Sequence, residues 1–276
     1  MPTTSILFSI NYSQPAFTLH QSDSLKLDRY KCPDWPDLVE EVVQTTSVAV
    51  HFNLLAGNGH LSEADWQMVE RLSALTDTPY VNLHLGAVRT DFPEISVVHP
   101  SRDQSLRIID NFVADVSVLV EHFGAQRVIV ENVPYTGSAG KTIRTSVEPE
   151  IISQVIRDAN CGFLFDLAHA HISAHYLGIP VWEYILKLPL ERLRELHISG
   201  AQSVSGVLSD HLALTTDDWT LLNRGLDYIR RGDWPKPWMA AFEYGGLGDE
   251  FAWRNQPEVI ASQAPMLYDA IKGLVT

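Results

Sequence analysis

The stretch RVIVENVPYTG, residues 127–137, starts as an apolar run and closes that run on a carboxylate and a carboxamide, Glu131 and Asn132. A short run that is apolar on both faces predicts a strand covered by helices on each side, as in a parallel sheet. Similar runs lie upstream at ILFSI (6–10), VAVHF (48–52) and YVNLHL (80–85), and downstream at GFLFDL (162–167), LHIS (196–199) and MAAFEY (239–244). Between them the apolar residues take helical spacing, so the chain reads as successive βα units. Helix starts are marked by Pro36, by Ser62 with Asp65 as a capping box, and by Asp217 and Asp218, while the periodic stretch over about 101–123 ends at Gly124. Seven clear strands and a weak eighth, GVLSDHLAL at 206–214, predict an α/β fold: one (β/α)8 TIM barrel over residues 1–276, with a short or irregular strand. A doubly wound sheet would be expected to carry GxGxxG after its first strand, and none stands there. Asn11 to Trp35 carries few strand or helix signals and reads as a long loop, in which Tyr12, Phe17 and Tyr30 form either a lid or a packed loop.

Composition narrows the function. The chain has 276 residues, 45% of them hydrophobic and 20% charged, which excludes a disordered or fibrous protein. With 20 Lys and Arg against 34 Asp and Glu, the formal charge of −14 repels phosphate backbones and anionic lipid, so neither nucleic acid nor a membrane is an expected partner. No apolar run reaches bilayer length, and the opening MPTTSILFSINYS lacks the features of a signal peptide. A cytoplasmic protein with free thiols at Cys32 and Cys161 is expected. Three other motifs have plainer readings. GSAGKT at 137–142 has Tyr135 where a phosphate loop needs its first Gly, GGLG at 245–248 reads as a sharp turn, and His171 with His175 reads as a helix face.

Barrel enzymes carry their chemistry at the C-terminal ends of the strands. Here those ends bear His51, His84, Glu131, Asp166 followed by His169, His197, then Asp210 and His211, and last Glu243. Carboxylates in runs such as IVEN, FLFD and AFEY are costly to bury without a cation, and the one arginine in these runs, Arg127, lies a strand length from Glu131. Metal ions meet that need, since mixed imidazole and carboxylate donors suit Zn, Fe or Mn. Nine donors exceed what one ion takes, which predicts two or three divalent ions bridged by Glu131 or Glu243 at roughly 3.5 to 4 Å. Asp210 and His211 are adjacent, and adjacent strand residues point oppositely, so only His211 is expected to bind unless the backbone is irregular.

These residues resemble the ligand order of the xylose-isomerase-like TIM barrels, a superfamily that also holds type-IV AP endonucleases and sugar epimerases. The resemblance runs from His51 to Glu243, and VIVENVPYTG is similar to the Glu-Asn-x-x-x-Tyr stretch of its multinuclear non-haem iron enzymes, which oxidatively modify ribosomally made peptides at cysteine. It implies metal ligands at His51, His84, Glu131, Asp166, His169, His197, Asp210, His211 and Glu243, with iron as the favoured metal and dioxygen as co-substrate. The chain differs from that pattern in having His169 where Asn is common, and in the adjacency of Asp210 and His211. The expected function is metal-dependent oxidative modification of a peptide or small molecule, with Glu131, His169 and Glu243 as candidate catalytic residues. The alternatives are a divalent-metal sugar isomerase or epimerase, in which Glu131, Asp166, His197 and Glu243 suffice, and a metal-dependent phosphodiester hydrolase, which the acidic charge disfavours. A homo-oligomer is open, since an incomplete eighth strand would leave an edge to cover.

Overall fold

The apolar runs form strands because Val, Ile and Phe pack well on a pleated surface buried from both sides. A computed structural model describes residues 5–275. Its strands are β1 Leu7–Asn11, β2 Arg29–Pro33, β3 Val48–His51, β4 Leu55–Ala56, β5 Val81–Leu85, β6 Val128–Asn132, β7 Gly162–Asp166, β8 Leu193–Ile198, β9 Gly200–Val204, β10 Val207–Leu212 and β11 Met239–Phe242. Nine of these make one curled parallel sheet in the order β3-β2-β1-β11-β8-β7-β6-β5-β4, with helices between its successive strands except β3 and β4. Its two edge strands, β3 and β4, are consecutive pieces of one segment, so the sheet returns on itself and the architecture is TIM-barrel-like.

The seam between β3 and β5 is closed by side chains. Asn82 accepts from Phe52 N at 2.8 Å and donates to Phe52 O at 3.0 Å, and Thr78 Oγ1 accepts from Val50 N at 3.0 Å. A carboxamide pairs both backbone groups of one residue, as a ladder partner would.

Two expectations are corrected. The eighth barrel strand is not GVLSDHLAL but β2, RYKCP, which pairs in parallel with both β1 and β3. The segment read as a loop from Asn11 to Trp35 therefore holds this strand and the helix Gln14–Gln21, with Tyr30 fully buried. Tyr12 packs edge-on to Tyr30 with ring centres 5.3 Å apart, so these aromatics belong to packed structure and not to a lid. The segment 206–214 instead supplies half of an antiparallel hairpin, β9 and β10, standing apart from the barrel sheet. Ser205 and Gly206 both have positive φ, as a two-residue hairpin turn requires.

The helix signals hold with one shift. Pro36 opens the helix Pro36–Val42, and Ser101 with Gln104 forms a capping box on Arg102–Phe123, which ends at Gly124. Thr215 caps Thr216–Arg231 with Asp218 as the reciprocal partner. Asp65, read as the far end of a capping box begun by Ser62, is itself the N-cap of Trp66–Thr76 and accepts from Met68 N, while Ser62 lies in a separate 3-10 turn.

Candidate metal centre

Parallel register brings the strand ends to one level. His84 is the direct neighbour of Glu131, and Asp166 of His197, while Glu243 directly follows Phe242, the partner of Ile198. The side chains converge in two groups that share one residue: His51, His84 and Glu131, and Glu131, Asp166, His197 and Glu243, each with ligand atoms within 4.8 Å of one another. Glu131 divides its oxygens between them. Its Oε2 stands 3.6 Å from His51 Nε2 and 3.3 Å from His84 Nε2, and its Oε1 stands 3.2 Å from His197 Nδ1.

Neighbours fix how each imidazole presents itself. His84 Nδ1 lies 3.2 Å from Leu54 O, and since a carbonyl only accepts, this nitrogen carries the proton and leaves Nε2 a lone pair facing the centre. His197 Nε2 donates to Glu195 Oε1 at 2.8 Å, which turns Nδ1 toward Glu131 and Glu243, each 3.2 Å away. Glu195 is itself held by Trp238, whose indole N–H donates to Oε2 at 2.9 Å. Such a carboxylate behind a histidine is the usual device for orienting a ligand. Sequence reading missed Glu195, although its place two residues before His197 put both on one strand face.

Asp166 serves twice. It ends β7 and caps the helix Leu167–Leu177, accepting from His169 N with Oδ1 at 2.7 Å. Its Oδ2, like Glu131 Oε2, is buried with no hydrogen-bond partner. Two orphaned carboxylate oxygens, Glu131 Oε2 on the His51 and His84 side and Asp166 Oδ2 in the other group, are what bound cations would satisfy, so the donor set fits metal. Burial pushes the Asp166 carboxyl up to about 6 and opposes ionisation of Glu131 and Glu243, which are nevertheless held below the usual range, Glu131 by His84 and His197 and Glu243 by His197 and Lys31. Burial and Lys31 hold the His51 imidazole well below its ordinary value, whereas His197, although desolvated, is pushed up to about 10 by Glu243 and Glu131.

The other three sequence candidates lie beside these clusters. His169 donates from Nδ1 to Asn132 O at 2.8 Å and meets Asp210 Oδ2 with Nε2 at 2.9 Å; against burial, Asp166, Asp210 and Glu131 raise it well above its ordinary value. His211 has φ of +54° and sits where the β9–β10 register shifts between Ser209 and Leu212. That irregularity, which the sequence did not announce, lets adjacent residues both face inward: Asp210 onto His169 and His211 into the cavity, its Nδ1 donating to Gly245 O at 3.2 Å. Gly245 needs its own freedom, since φ is +65° and a Cβ there would strike Asn255 Oδ1. His171 pairs with Asp218 at 3.1 Å on its helix face, away from the centre.

A cavity of about 300 Å³ opens over the clusters, lined by His51, His84, Glu131, His169, His211 and Glu243, and rimmed by Trp35, Leu247 and Phe251. The residue the sequence most plainly missed also lines it. Lys31 on β2 is 6% exposed and its ammonium contacts Glu243 Oε1, so the strands do bring one cation to the centre. It offsets one of three carboxylates and leaves the orphaned oxygens of Glu131 and Asp166 as they were.

Comparison with known proteins agrees with this geometry. The family described as "RiPP precursor modification enzyme MbnB/TglH/ChrH" matches residues 32–231. A UPF0276 protein of Acaryochloris marina is 25% identical over 119 residues, 42% of this chain and 42% of that protein. Another from Alcanivorax borkumensis is 32% identical over 91 residues, 32% of this chain and 30% of that protein, so the matched stretches span less than half of these relatives. Among solved structures, D-psicose 3-epimerase from Clostridium cellulolyticum superposes with a TM-score of 0.57 at 10% identity, covering 98% of this chain and 99% of that one. A xylose isomerase domain protein from Planctomyces limnophilus gives 0.58 at 14% identity, with 98% of both chains covered. AP endonuclease family 2 from Brucella melitensis gives 0.54 at 14%, covering 94% of this chain and 98% of that one. At such identities the likeness carries the fold alone, a TIM barrel. No helix among the described residues is long and apolar enough to cross a membrane.

Proposed function

Because the chain belongs to the MbnB/TglH/ChrH family of RiPP precursor modification enzymes, matched over residues 32–231, we propose that it oxidatively modifies a peptide at a di- or trinuclear metal centre, with iron as the working metal. The observation that carries this reading is Glu131, whose two oxygens face two separate groups of donors, as a residue bridging two ions must. His51 and His84 would hold one ion with Glu131, and Asp166, His197 and Glu243 another with it. His169, Asp210 and His211 would be the donors for a third. When bound, redox-active ions such as iron would pass electrons from the peptide to dioxygen as the oxidant, while Zn would supply Lewis acidity alone.

The protein's own residues supply the setting. The cavity leaves His51 and His84 accessible to a ligand, and its volume, at the low end for ligand pockets, takes one end or one side chain of a peptide rather than an extended stretch. Trp35, 49% exposed at the rim, offers an aromatic surface to the rest. In a centre of two ions, His169 holds a proton on Nε2 between Asp210 and the cavity, within reach of a substrate group needing one, and Glu131 and Glu243 would fix the ions beside it; in a centre of three, that nitrogen would be a ligand instead.

A second reading is favoured by one fact: Glu131, Asp166, His197 and Glu243 alone make a complete set for a single ion, which would serve an isomerase or epimerase. Elemental analysis of anaerobically purified protein separates the two. Two or three irons per chain support the oxidative reading, one Mn, Co or Mg supports the isomerase, and no metal under any preparation defeats both.

A further inference from the structure

We propose that Lys31 is a built-in counter-cation of the centre, competing with a divalent ion for Glu243 and so making the ion held by Glu131, Asp166, His197 and Glu243 weaker and more exchangeable than its donors alone would. The inference rests on the metal reading above. Strand β2 carries alternating residues: Tyr30 and Cys32 are fully buried, whereas Lys31 between them reaches the mouth of the barrel and lines the cavity. Its Nζ contacts Glu243 Oε1, which is the oxygen 3.2 Å from His197 Nδ1 and therefore the one turned into the donor group. A metal ion and the ammonium are thus directed at one carboxylate oxygen, and two cations at that separation in a buried site repel strongly.

The neighbouring group feels the charge of Lys31 at His51 but has no such contact with it. His51, His84 and Glu131 have no lysine or arginine paired with them among the described residues, and Lys31 is the one lysine or arginine lining the cavity. An ammonium carries three donors, and Glu243 is the hydrogen-bond partner of Lys31 among the described residues. A displaced Lys31 keeps its charge beside the cavity, so the repulsion persists after the ion has bound.

The test is a titration of metal-stripped, full-length protein with Zn²⁺ alone against a chromophoric chelator, for the wild type, Lys31→Met, Lys31→Gln and Lys31→Arg. The expected result is that one Zn²⁺ binds at least about tenfold tighter in both neutral variants and dissociates more slowly, while the other ion tightens by clearly less and Lys31→Arg behaves as wild type. Lys31→Gln keeps a hydrogen bond to Glu243 without the charge, so it reads the same quantity if Lys31→Met misfolds. Equal or weaker binding in the neutral variants overturns the counter-cation role and leaves the metal reading standing. No Zn²⁺ bound by any of the four proteins overturns both.

Discussion

The two halves of the centre are built from opposite materials. On the side of β3 and β5 stand two imidazoles, His51 and His84, whose side chains are 18% and 22% exposed to the cavity. On the side of β7, β8 and β11 stand Asp166, His197 and Glu243, at 4% or less. The first half presents lone pairs and costs little when empty. The second concentrates negative charge away from water, and without a metal it must borrow protons and an ammonium: His197 is raised, Asp166 is raised, and Lys31 lies on Glu243. Glu131 belongs to both. The lesson is that one half behaves as a preformed ligand set, and the other as a charge cluster that folding tolerates because something cationic is always there.

The comparison breaks most decisively at Glu131. In Glu131→Ala both halves lose their common donor, and the metal content of anaerobically prepared protein should fall by two ions per chain. His84→Ala should cost one ion and leave the buried half loaded, whereas Asp166→Asn should cost the other. If His84→Ala empties the whole centre, the halves are not separable and the division drawn here is wrong. A smaller effect is expected at Glu195→Gln, which touches no ion but releases the His197 ring from its fixed tautomer. Loss of such an orienting partner costs about 10–100-fold in metal affinity, read by chelator competition, with the His51 and His84 half unchanged.

How much of this was legible in sequence follows from the same division. The donors on regular parallel strands stood out because a carboxylate or imidazole closing an apolar run has no other cheap explanation: Glu131, Asp166, His197 and Glu243 all come from such runs. The residues missed sit where the pattern is broken. β2 reads R-Y-K-C-P, with charges at alternate positions and a terminal proline, which is the signature of an edge or a loop; only the neighbouring strands make it a barrel strand with Lys31 inside. β3 and β4 are one strand in two pieces, the seam being filled by Asn82, and no propensity foretells a carboxamide standing in for a ladder. The Ser205-Gly206 turn was the available sign that GVLSDHLAL belongs to a hairpin. The positive φ at His211 had no sign at all.

The smallest expected effect is on stability, and it sharpens the contrast between a charge cluster and a neutral ligand set. In the metal-free protein His197 is raised to about 10 from an ordinary 6.5, and His169 is raised as well. A histidine whose folded value lies above its unfolded value contributes stability that is whole below the unfolded value and is lost as pH rises through the folded one. The carboxylates do not blur this window: Glu131, Glu243 and Asp210 are held low, and their contribution is complete once pH exceeds the ordinary carboxylate range, while the shift of Asp166 acts below about 6. His51 is held low, so its contribution grows as pH rises through its unfolded value and is nearly complete at the start of the window, adding only a few tenths of a kcal/mol above about pH 6.5. The buried thiols, raised to about 12, act only above their ordinary value of 9.0. Between pH 6.5 and 8.5, then, the metal-free protein should lose stability with rising pH, by about 2 kcal/mol from His197 alone or about 4–8 °C in Tm for a chain of this size. Metal replaces the proton on His197 Nδ1 and is favoured by higher pH, so the loaded protein should show no such loss, or a gain. Melting curves in chelator and in saturating Zn²⁺ across that range decide the matter: parallel curves would mean that the buried half does not hold its protons in place of a metal, and the two halves would then differ in exposure alone.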